Sequence, residues 1–264
     1  MNNMNNAGSV AKQYEKTDNL DIRIAIHSKY STNKQGFGNW IYEQYELGNG
    51  CRILELGCGS GDMWKEKIGL IGKDSSLILS DFSEGMVEEV RRKYQNYSNV
   101  SFERINIEEI PYEDASFDIV IANMMLYHVP DLRKALLEVA RVLKTEGKFY
   151  SATYGENGIH TYIQSVLQEN NLKGDVNIFT LQNGGALLGR YFNRVVRRNY
   201  IDSLEITDTN DLIRYIYSMG SILDIKEKNR DRLYEVFENK KDENGIIKIP
   251  KEYGLFISSG TSDR

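Results

Sequence analysis

Cysteine and histidine are scarce in this sequence, which contains two cysteines and three histidines. Cys51 and Cys58 lie at the two ends of one predicted strand, and an extended strand holds them too far apart for a disulfide bond. The sequence has no Cys-x-x-Cys pair and no histidine–cysteine cluster, so it does not indicate a metal site. We therefore expect a protein without metal that functions in the reducing cytoplasm.

Long apolar runs are also absent, since no stretch reaches the length of a membrane-spanning helix. Residues Met1–Gly8 are rich in asparagine and lack the apolar region of a secretion signal, so we expect them to be disordered. The formal net charge of −5 disfavours nonspecific binding to nucleic acids. We expect neither a membrane nor a nucleic acid as a partner.

The stretch Ile53–Gly61 has the sequence Ile-Leu-Glu-Leu-Gly-Cys-Gly-Ser-Gly. Its first half is a short and mostly apolar run, which is typical of a buried parallel strand. Three glycines alternate with other residues in its second half, and glycine tolerates a positive φ and lets the backbone approach a ligand closely. A strand that leads through such a loop into a helix predicts a binding turn for a nucleotide-like ligand. A tight turn without a ligand is the alternative.

Asp62 distinguishes between the possible ligands of this turn. A dinucleotide fingerprint needs glycine at position 62, and a carboxylate at the start of a helix would repel a pyrophosphate bound there. The Gly-Lys-Ser/Thr sequence of a phosphate-binding P-loop is absent as well. A dehydrogenase built on the same kind of sheet is therefore disfavoured.

The spacing of Glu55, Gly57, Gly59 and Gly61 resembles motif I of the class I S-adenosylmethionine (SAM)-dependent methyltransferases. SAM carries a sulfonium and an ammonium group and no phosphate, so an acidic residue beside the loop favours its binding. The resemblance implies that Glu55, Gly57, Cys58 and Gly59 belong to the cofactor site. It also implies that the loop surrounds the methionine end of SAM and that Glu55 helps to hold the ammonium group through water.

Asp81 ends the second predicted strand, Leu77–Asp81, and lies 20 residues after Gly61. An acid at this position accepts hydrogen bonds from the ribose hydroxyls of a nucleoside ligand. The resemblance to the family extends to Phe82 and Met86, which flank Asp81 as adenine-stacking residues do. Ordinary packing in the core is the alternative for both side chains.

Asn106 and Ile107 follow the third predicted strand in a segment that resembles the family's Gly-Asp-Ala-x-x-Leu-Pro loop. The resemblance implies that both residues frame the adenine. Asn106 stands where the family commonly has aspartate, and its amide oxygen can still accept a hydrogen bond from the adenine amine.

Asn123–Pro130 follows the fourth predicted strand and resembles the family's motif IV region. The resemblance implies that the backbone carbonyl of Asn123 lies near the methionine amino group. Tyr127 and His128 are candidates for a general base or for a group that orients the methyl acceptor. A histidine bonded to the backbone at a helix entry is an equally good interpretation of His128.

Ser9–Leu47 predicts helices ahead of the first strand. The resemblance implies that such helices cover the methionine end of SAM, so Arg23 is a candidate partner of its carboxylate and Tyr14 is a further candidate. Arg23 and His27 share a helix face if the helix is continuous. For His27 we expect a solvated polar face rather than a ligand contact.

Strands and helices alternate from Arg52 to Thr153, which predicts a parallel sheet. The expected fold is α/β and Rossmann-like, with a seven-stranded and mostly parallel sheet and helices on both faces. We expect a disordered start and helical cap in residues 1–50 and the SAM-binding domain in residues 51–264. Residues 207–245 form a helical insertion before the last strand, too long for a hairpin turn, which is either a lid over the acceptor or a stabilising addition.

The resemblance predicts an enzyme that moves a methyl group from SAM to an oxygen or nitrogen atom of a small-molecule acceptor and releases S-adenosylhomocysteine. We expect a monomer or a homodimer. A non-catalytic SAM-binding regulator and a protein methyltransferase stay open as alternatives. The Asp/Asn-Pro-Pro-Tyr/Phe signature of amino-methylating DNA enzymes is missing, because Asn123 is followed by Met124-Met125-Leu126.

Overall fold

The computed structural model describes residues 17–167, 178–219 and 230–261, with side chains from residue 22 onward. The candidate Tyr14 and the expected disorder of Met1–Gly8 lie outside these residues. In this part of the chain, no helix is long and apolar enough to cross a membrane.

Eight α-helices and seven strands form the described structure. The helices are α1 Thr17–Tyr30, α2 Phe37–Glu43, α3 Glu84–Tyr94, α4 Leu132–Val142, α5 Ile159–Leu167, α6 Gly184–Leu188, α7 Thr209–Ser218 and α8 Arg230–Glu238. The strands are β1 Arg52–Leu56, β2 Ser76–Asp81, β3 Val100–Arg104, β4 Phe117–Ile121, β5 Leu143–Tyr154, β6 Phe192–Ile206 and β7 Ile247–Thr261. Short 3₁₀ turns lie at Asp62–Trp64, Ile68–Leu70 and Leu126–His128.

The seven strands form one sheet in the order β3-β2-β1-β4-β5-β7-β6. The four pairings β1–β2, β1–β4, β2–β3 and β4–β5 are all parallel. The chain runs outward from β1 to β3 and then returns to place β4 on the other side of β1, so the strand order reverses between β1 and β4. Open α/β sheets bind their ligands at the carboxyl ends of the strands at such a reversal. The predicted fold class is confirmed.

Strand β1 lies inside the sheet between β2 and β4 and is buried from Ile53 to Leu56. Helices cover the sheet through apolar residues spaced by one helical turn. In α4 these residues are Ala135, Leu136, Val139 and Val142, and in α3 they are Val87, Val90 and Tyr94. Asp131 follows Pro130, a position from which the sequence predicts a helix cap, and its carboxylate does accept a hydrogen bond from the backbone N–H of Lys134 at 2.9 Å.

The sequence of Asp62–Leu70 predicts a short helix, but two 3₁₀ turns take its place. The turns are separated by Glu66, whose φ of 64° is left-handed and interrupts a helix. For Trp64 in this segment the sequence favours packing in the core, and its side chain is fully buried. The sequence also predicts a helix over Leu181–Phe192, but only Gly184–Leu188 is helical and the chain enters β6 at Phe192.

The sequence predicts a fifth strand over Gly147–Thr153, but strand β5 already begins at Leu143, directly after α4. Its pairing with β4 is interrupted, since Phe117 pairs with Leu143 while Ile119 pairs with Lys148. Five residues of β5 therefore pass two residues of β4 before the regular ladder begins. A Cβ atom at Gly147 would lie 2.8 Å from side-chain atoms of Leu143, so glycine allows the chain to turn back tightly here.

The chain divides into two compact units. The motif unit comprises Phe37–Tyr154, Phe179–Asn199 and Gly254–Arg264, and the N-terminal unit comprises Met1–Gly36, Gly155–Ile178 and Tyr200–Tyr253. Helix α2 belongs to the motif unit, whereas α1 and the two helices α7 and α8 of the expected insertion belong to the N-terminal unit. The division into residues 1–50 and 51–264 stays a prediction.

The core of the N-terminal unit is formed by apolar faces of its helices and by the parts of β6 and β7 that it contains. Helix α7 alone buries Leu212, Ile213, Tyr215 and Ile216. His27 of α1 packs against this core, with its ring centroid 6.1 Å from that of Tyr215 and 6.2 Å from that of Tyr253. The expectation of a solvated face at His27 is therefore wrong, because the packing of α1 covers that face.

Candidate functional site

The glycine loop after β1 has a left-handed backbone at all three of its glycines, with φ of 71° at Gly57, 54° at Gly59 and 73° at Gly61. A Cβ atom at Gly57 would lie 2.8 Å from Met125, and one at Gly61 would lie 2.6 Å from Val90. A Cβ atom at Gly59 would meet no atom within 4 Å. The outer glycines therefore serve packing, whereas Gly59 leaves open space beside its backbone where a ligand can approach.

Asp81 lies at the carboxyl end of β2 and is fixed by two backbone donors. Its Oδ2 atom accepts a hydrogen bond from the N–H of Gly59 at 3.0 Å, and its Oδ1 atom accepts one from the N–H of Ser83 at 2.9 Å. Burial raises the pKa of Asp81, and these hydrogen bonds oppose the increase. Each carboxylate oxygen keeps a further acceptor position, so the group can receive hydrogen bonds from ligand hydroxyls.

Ser83 precedes α3, as expected of an N-cap residue, but its hydroxyl makes no capping hydrogen bond. Its N–H instead donates to Asp81, and its carbonyl accepts from the N–H groups of Met86 and Val87. The start of α3 therefore helps to orient the carboxylate at the end of β2.

Glu55 is a second carboxylate at this edge of the sheet and is only 2% exposed. The indole N–H of Trp64 donates a hydrogen bond to its Oε2 atom. Burial is the main cause that raises the pKa of Glu55 to about 7, and the nearby charge of Asp81 contributes in the same direction. A cation bound next to Glu55 would favour the ionised carboxylate, so the pair of acids makes this a site for positively charged ligand groups.

Cys58 lies inside the glycine loop, where its backbone N–H donates to the carbonyl of Ser80 at 2.9 Å. Burial raises the pKa of its thiol strongly, and the charges of Glu55 and Asp81 add to that increase. A thiol that stays protonated is a poor nucleophile and a poor metal ligand. Cys58 therefore contributes the shape of the loop rather than reactivity.

Phe82 follows Asp81 directly, and its side chain is 50% exposed. The guanidinium of Arg104 lies 5.3 Å from the centroid of its ring, and the Nε atom of Arg104 donates to the carbonyl of Phe82 at 3.0 Å. This exposure rules out core packing as the explanation of Phe82 and leaves a free aromatic surface beside Asp81. Met86 is half-buried, so both interpretations of that side chain stay open.

A backbone hydrogen bond holds the segment of Asn106 and Ile107 near Asp81. The N–H of the preceding residue, Ile105, donates to the carbonyl of Asp81 at 3.1 Å. The side-chain oxygen of Asn106 accepts from the N–H of Glu108 at 3.0 Å, which forms a tight turn. The side chain of Ile107 is buried in the core. Ile107 can therefore contact a ligand only through its backbone.

Asn123 and Met124 follow β4. The amide nitrogen of Asn123 donates to the hydroxyl of Tyr45 at 2.6 Å, while its buried Oδ1 atom has no partner among the residues that the structure describes. Met124 has a φ of 53°, a left-handed backbone that costs about 1 kcal/mol or more for a residue with a side chain. An unpaired buried acceptor and a strained residue at the same strand end are typical of a functional site.

Tyr45 is a residue of this site that the sequence did not reveal. It is buried in the segment between α2 and β1, and its ring centroid lies 4.9 Å from that of Tyr150. Burial raises the pKa of its hydroxyl well above the usual range, so the group stays protonated. The only signal in the sequence is the aromatic composition of Trp40–Tyr45, which does not separate a site residue from a core residue.

Tyr127 and His128 lie in the 3₁₀ turn after β4, with ring centroids 4.5 Å apart. Tyr127 also packs against Tyr154, at 4.7 Å between centroids, and the backbone N–H of His128 donates to the carbonyl of Met125 at 2.9 Å. The structure therefore brings the two expected residues together in the motif unit. Their catalytic roles stay predictions.

Arg23 is not among the motif-unit residues, since it lies on α1 in the N-terminal unit. Its Nη2 atom donates to the backbone carbonyl of Ser218. Its assignment to the carboxylate of SAM stays a prediction. Within the described ranges, no group of three or more histidine, cysteine, aspartate or glutamate side chains could hold a metal ion.

A family model described as a methyltransferase domain matches residues 47–241. This range covers most of the chain and contains the glycine loop, Asp81, Asn123 and His128.

Two curated relatives carry methyltransferase names. The ubiquinone/menaquinone biosynthesis C-methyltransferase UbiE of Proteus mirabilis is 29% identical over 143 residues, which cover 53% of this chain and 54% of that protein. The malonyl-[acyl-carrier protein] O-methyltransferase of Bacillus anthracis is 28% identical over 171 residues, which cover 64% of this chain and 59% of that protein. The chain thus matches little more than half the length of these relatives.

The structure is also similar to the crystal structure of the YcgJ protein from Bacillus subtilis. The TM-score is 0.57 at 21% sequence identity, and the similarity covers 86% of this chain and 98% of that one. Identity this low establishes a shared fold and does not transfer an activity.

Proposed function

The chain belongs to the class I SAM-dependent methyltransferases, and from this premise we propose that it transfers the methyl group of SAM to a small-molecule acceptor. The attacked atom in this proposal is an oxygen or a nitrogen, and the second product is S-adenosylhomocysteine. The names of the two relatives specify a C-methyltransferase and an O-methyltransferase, so family membership does not decide the acceptor.

One observation carries the proposal, namely the hydrogen bond between the Asp81 carboxylate and the N–H of Gly59. It places an acid with free acceptor positions beside the glycine whose surroundings are open. A nucleoside with two ribose hydroxyls suits this arrangement, because a carboxylate accepts from both. Asp62, the acidic first residue of the 3₁₀ turn after the loop, would repel a pyrophosphate bound there, which favours SAM over a dinucleotide.

The residues present fit SAM, which would supply a methyl group activated by a positively charged sulfur. In the proposed complex, Asp81 accepts from the ribose, and Phe82 offers its exposed ring to the adenine. Glu55 balances the positive charge of the ligand. The backbone carbonyl of Asn123 accepts a hydrogen bond from the ammonium group, and the unpaired Oδ1 atom of the same residue is a further acceptor. The contributions of the remaining cofactor candidates are parts of the same proposal: Gly57, Cys58, Met86, Asn106, Ile107 and Tyr14.

We assign the acceptor side of the reaction to Tyr127 and His128. Methyl transfer requires the attacking atom, the methyl carbon and the sulfur to lie in line, so orientation of the acceptor is the main task of the protein. Removal of a proton from an oxygen or nitrogen acceptor is a task for a base such as His128. The contact between the two rings restricts both side chains, which supports a role in orientation.

We further propose that the protein acts in the cytoplasm, as a monomer or a homodimer, on a small molecule. Two free cysteines, Cys51 and Cys58, agree with a reducing compartment.

Calorimetric titration with SAM, S-adenosylhomocysteine and NAD tests the cofactor assignment. We expect binding of the first two and none of NAD, because the carboxylate of Asp62 follows the glycine loop directly. Binding of NAD without binding of SAM would contradict the proposal. A screen of metabolite mixtures for a SAM-dependent mass gain of one methylene group then tests the acceptor class. If only proteins were methylated, the acceptor would be a protein and not a small molecule.

A further inference from the structure

The N-terminal unit contains a second set of buried charged and polar side chains. Lys251 and Asp202 form a buried ion pair, and the Nζ atom of Lys251 also contacts the hydroxyl of Ser31 at 2.8 Å. The side chains of Lys251 and Asp202 are 3% and 0% exposed. The charge of Lys251 is therefore compensated within the unit.

Arg23 differs from Lys251 because its charge has no acidic partner among the described residues. Its Nη2 atom donates to the carbonyl of Ser218 at the end of α7, where a positive charge interacts favourably with the helix dipole. Its Nε atom is buried and has no hydrogen-bond partner within the described residues. Capping of α7 explains one donor of the guanidinium and leaves this second donor without a function.

His27 lies one helical turn after Arg23 on the same face of α1, and its buried Nδ1 atom also lacks a partner in the part of the chain that the structure describes. His160 interacts electrostatically with both residues. It lowers the pKa of His27, and the charge of Arg23 lowers the pKa of His160. Burial is the main cause that lowers the pKa of both histidines to about 4, so both are neutral near pH 7. Of the three side chains Arg23, His27 and His160, only Arg23 is therefore charged near pH 7, and the group has a net charge of about +1.

We propose that Arg23 and His27 bind the carboxylate of a small molecule other than the nucleoside cofactor. A guanidinium Nε–H and an imidazole N–H one turn apart offer two donors to the two oxygens of a planar carboxylate. One excess positive charge suits a singly charged anion better than a phosphate dianion. The rings of Tyr215 and Tyr253 beside His27 provide apolar surface for the rest of the ligand.

Five groups surround the imidazole of His27 and set its response to a bound anion. They are Lys251, Asp202, His160, Tyr215 and Tyr253. A carboxylate placed here adds a negative charge and raises the pKa of His27 towards the ordinary value, so binding is accompanied by proton uptake.

Nuclear magnetic resonance of the imidazole groups tests the site directly, because the chain has only three histidines. The probe is butyrate, with butyramide as its neutral counterpart and sodium chloride at matched ionic strength. Signals are assigned with His128→Gln and His160→Gln. We expect butyrate to shift the His27 signals in a saturable way and to raise the pKa of His27, in the absence and in the presence of saturating S-adenosylhomocysteine.

Two variants separate recognition from folding. Arg23→Gln keeps an amide N–H for the carbonyl of Ser218 and removes the charge and the Nε donor, so butyrate should bind about tenfold or more weakly. Lys29→Gln removes a cation from the exposed side of the same helix and should leave butyrate binding unchanged. If Arg23→Gln does not fold, the titration of the unmodified protein still decides.

Three results would overturn the proposal. The first is no response of His27 to butyrate, and the second is an equal response to chloride, which would indicate an adventitious ion only. The third is competition in which S-adenosylhomocysteine prevents the butyrate response, since Arg23 would then belong to the cofactor's own carboxylate. None of these measurements requires turnover, so failure of the site and failure of the proposed function are observed separately.

Discussion

The carboxylate of Asp81 accepts a hydrogen bond from the backbone N–H of Gly59 at 3.0 Å, which joins the end of β2 to the loop that follows β1. The loop backbone is left-handed at this glycine, and no atom lies within 4 Å of where a Cβ would be. The loop can therefore remain open on one side and still keep its shape. The same acid that orients the loop is available to a ligand.

Replacement of Asp81 by alanine should weaken binding of SAM by about 1.5–3 kcal/mol, the range for loss of a charge-assisted hydrogen bond. Calorimetry with purified variants measures this loss. Asp114→Ala is the matched control, because Asp114 is exposed and lies at the surface next to Arg141. Equal affinities of the Asp81 variant and the control would remove Asp81 from the cofactor site.

Two glycines of the same loop should respond differently to substitution by alanine. Both Gly59 and Gly61 have a positive φ, so each substitution costs about 1–2 kcal/mol of backbone strain. Only at Gly61 does the new methyl group clash, at 2.6 Å from Val90, which adds about 1–3 kcal/mol of overpacking.

Chemical denaturation should therefore show the larger loss of stability for Gly61→Ala. Calorimetry on folded protein should show the larger relative loss of SAM affinity for Gly59→Ala, because its methyl group occupies the open space beside the loop. Equal stabilities of the two variants would contradict the packing argument.

Glu55 should make the ligand-free protein less stable as the pH rises. Its pKa is about 7 in the folded protein and 4.5 in the unfolded chain, so folding binds a proton between these values. Stability contributed by the protonated form is present below pH 4.5 and is lost as the pH rises through 7. The shift corresponds to about 3 kcal/mol as an upper estimate.

Glu55→Gln removes this dependence and keeps an oxygen for the indole N–H of Trp64. Denaturation at pH 5 and pH 8 should show that the variant gains stability over the unmodified protein only at the higher pH. Its affinity for SAM should fall at pH 8, because the negative charge that balances the positive charge of the ligand is lost. A difference in unfolding free energy between the two proteins that stays constant from pH 5 to pH 8 would show that Glu55 does not ionise in this range.

His27 and His160 should act in the opposite direction when the pH falls. Both have a pKa of about 4 in the folded protein against 6.5 in the unfolded chain, so the unfolded state binds protons first. Stability is complete above pH 6.5 and is lost as the pH falls towards 4, by up to about 3 kcal/mol for each residue. Denaturation of His27→Gln and His160→Gln between pH 4.5 and 7 should show a weaker loss in acid than the unmodified protein shows.

The positions of the glycine loop and of Asp81 at the ends of two strands could be predicted because they depend on local sequence. A positive φ and an acid at a strand end are properties of a few adjacent residues, and the sequence shows them directly. The contact between Tyr45 and Asn123 joins residues 78 positions apart, and neither residue type indicates the other. His27 was misjudged for the same reason, since its environment is made by Tyr215 and Tyr253, which lie far along the chain.

The helix expected over Asp62–Leu70 shows a different limit. Its composition permits a helix, but the left-handed backbone of Glu66 interrupts it. The sequence has no glycine at this position that would indicate a turn. Trp64 reaches Glu55 from this interrupted segment. Tertiary packing has overridden local preference at the place where a buried carboxylate needs a donor.

The sharpest prediction about the reaction concerns His128, which follows β4 and contacts Tyr127. If His128 removes a proton from an oxygen or nitrogen acceptor, His128→Asn should leave SAM affinity nearly unchanged. Turnover should fall by about 10²–10⁴-fold, the usual contribution of a positioned base. Tyr127→Phe is the matched variant, since it keeps the ring that contacts His128 and removes only the hydroxyl. A His128→Asn protein that folds, binds SAM and turns over at nearly the original rate would show that His128 is structural. Catalysis would then depend on alignment of the acceptor alone, and transfer to a carbon atom that needs no base at this position would become the better assignment.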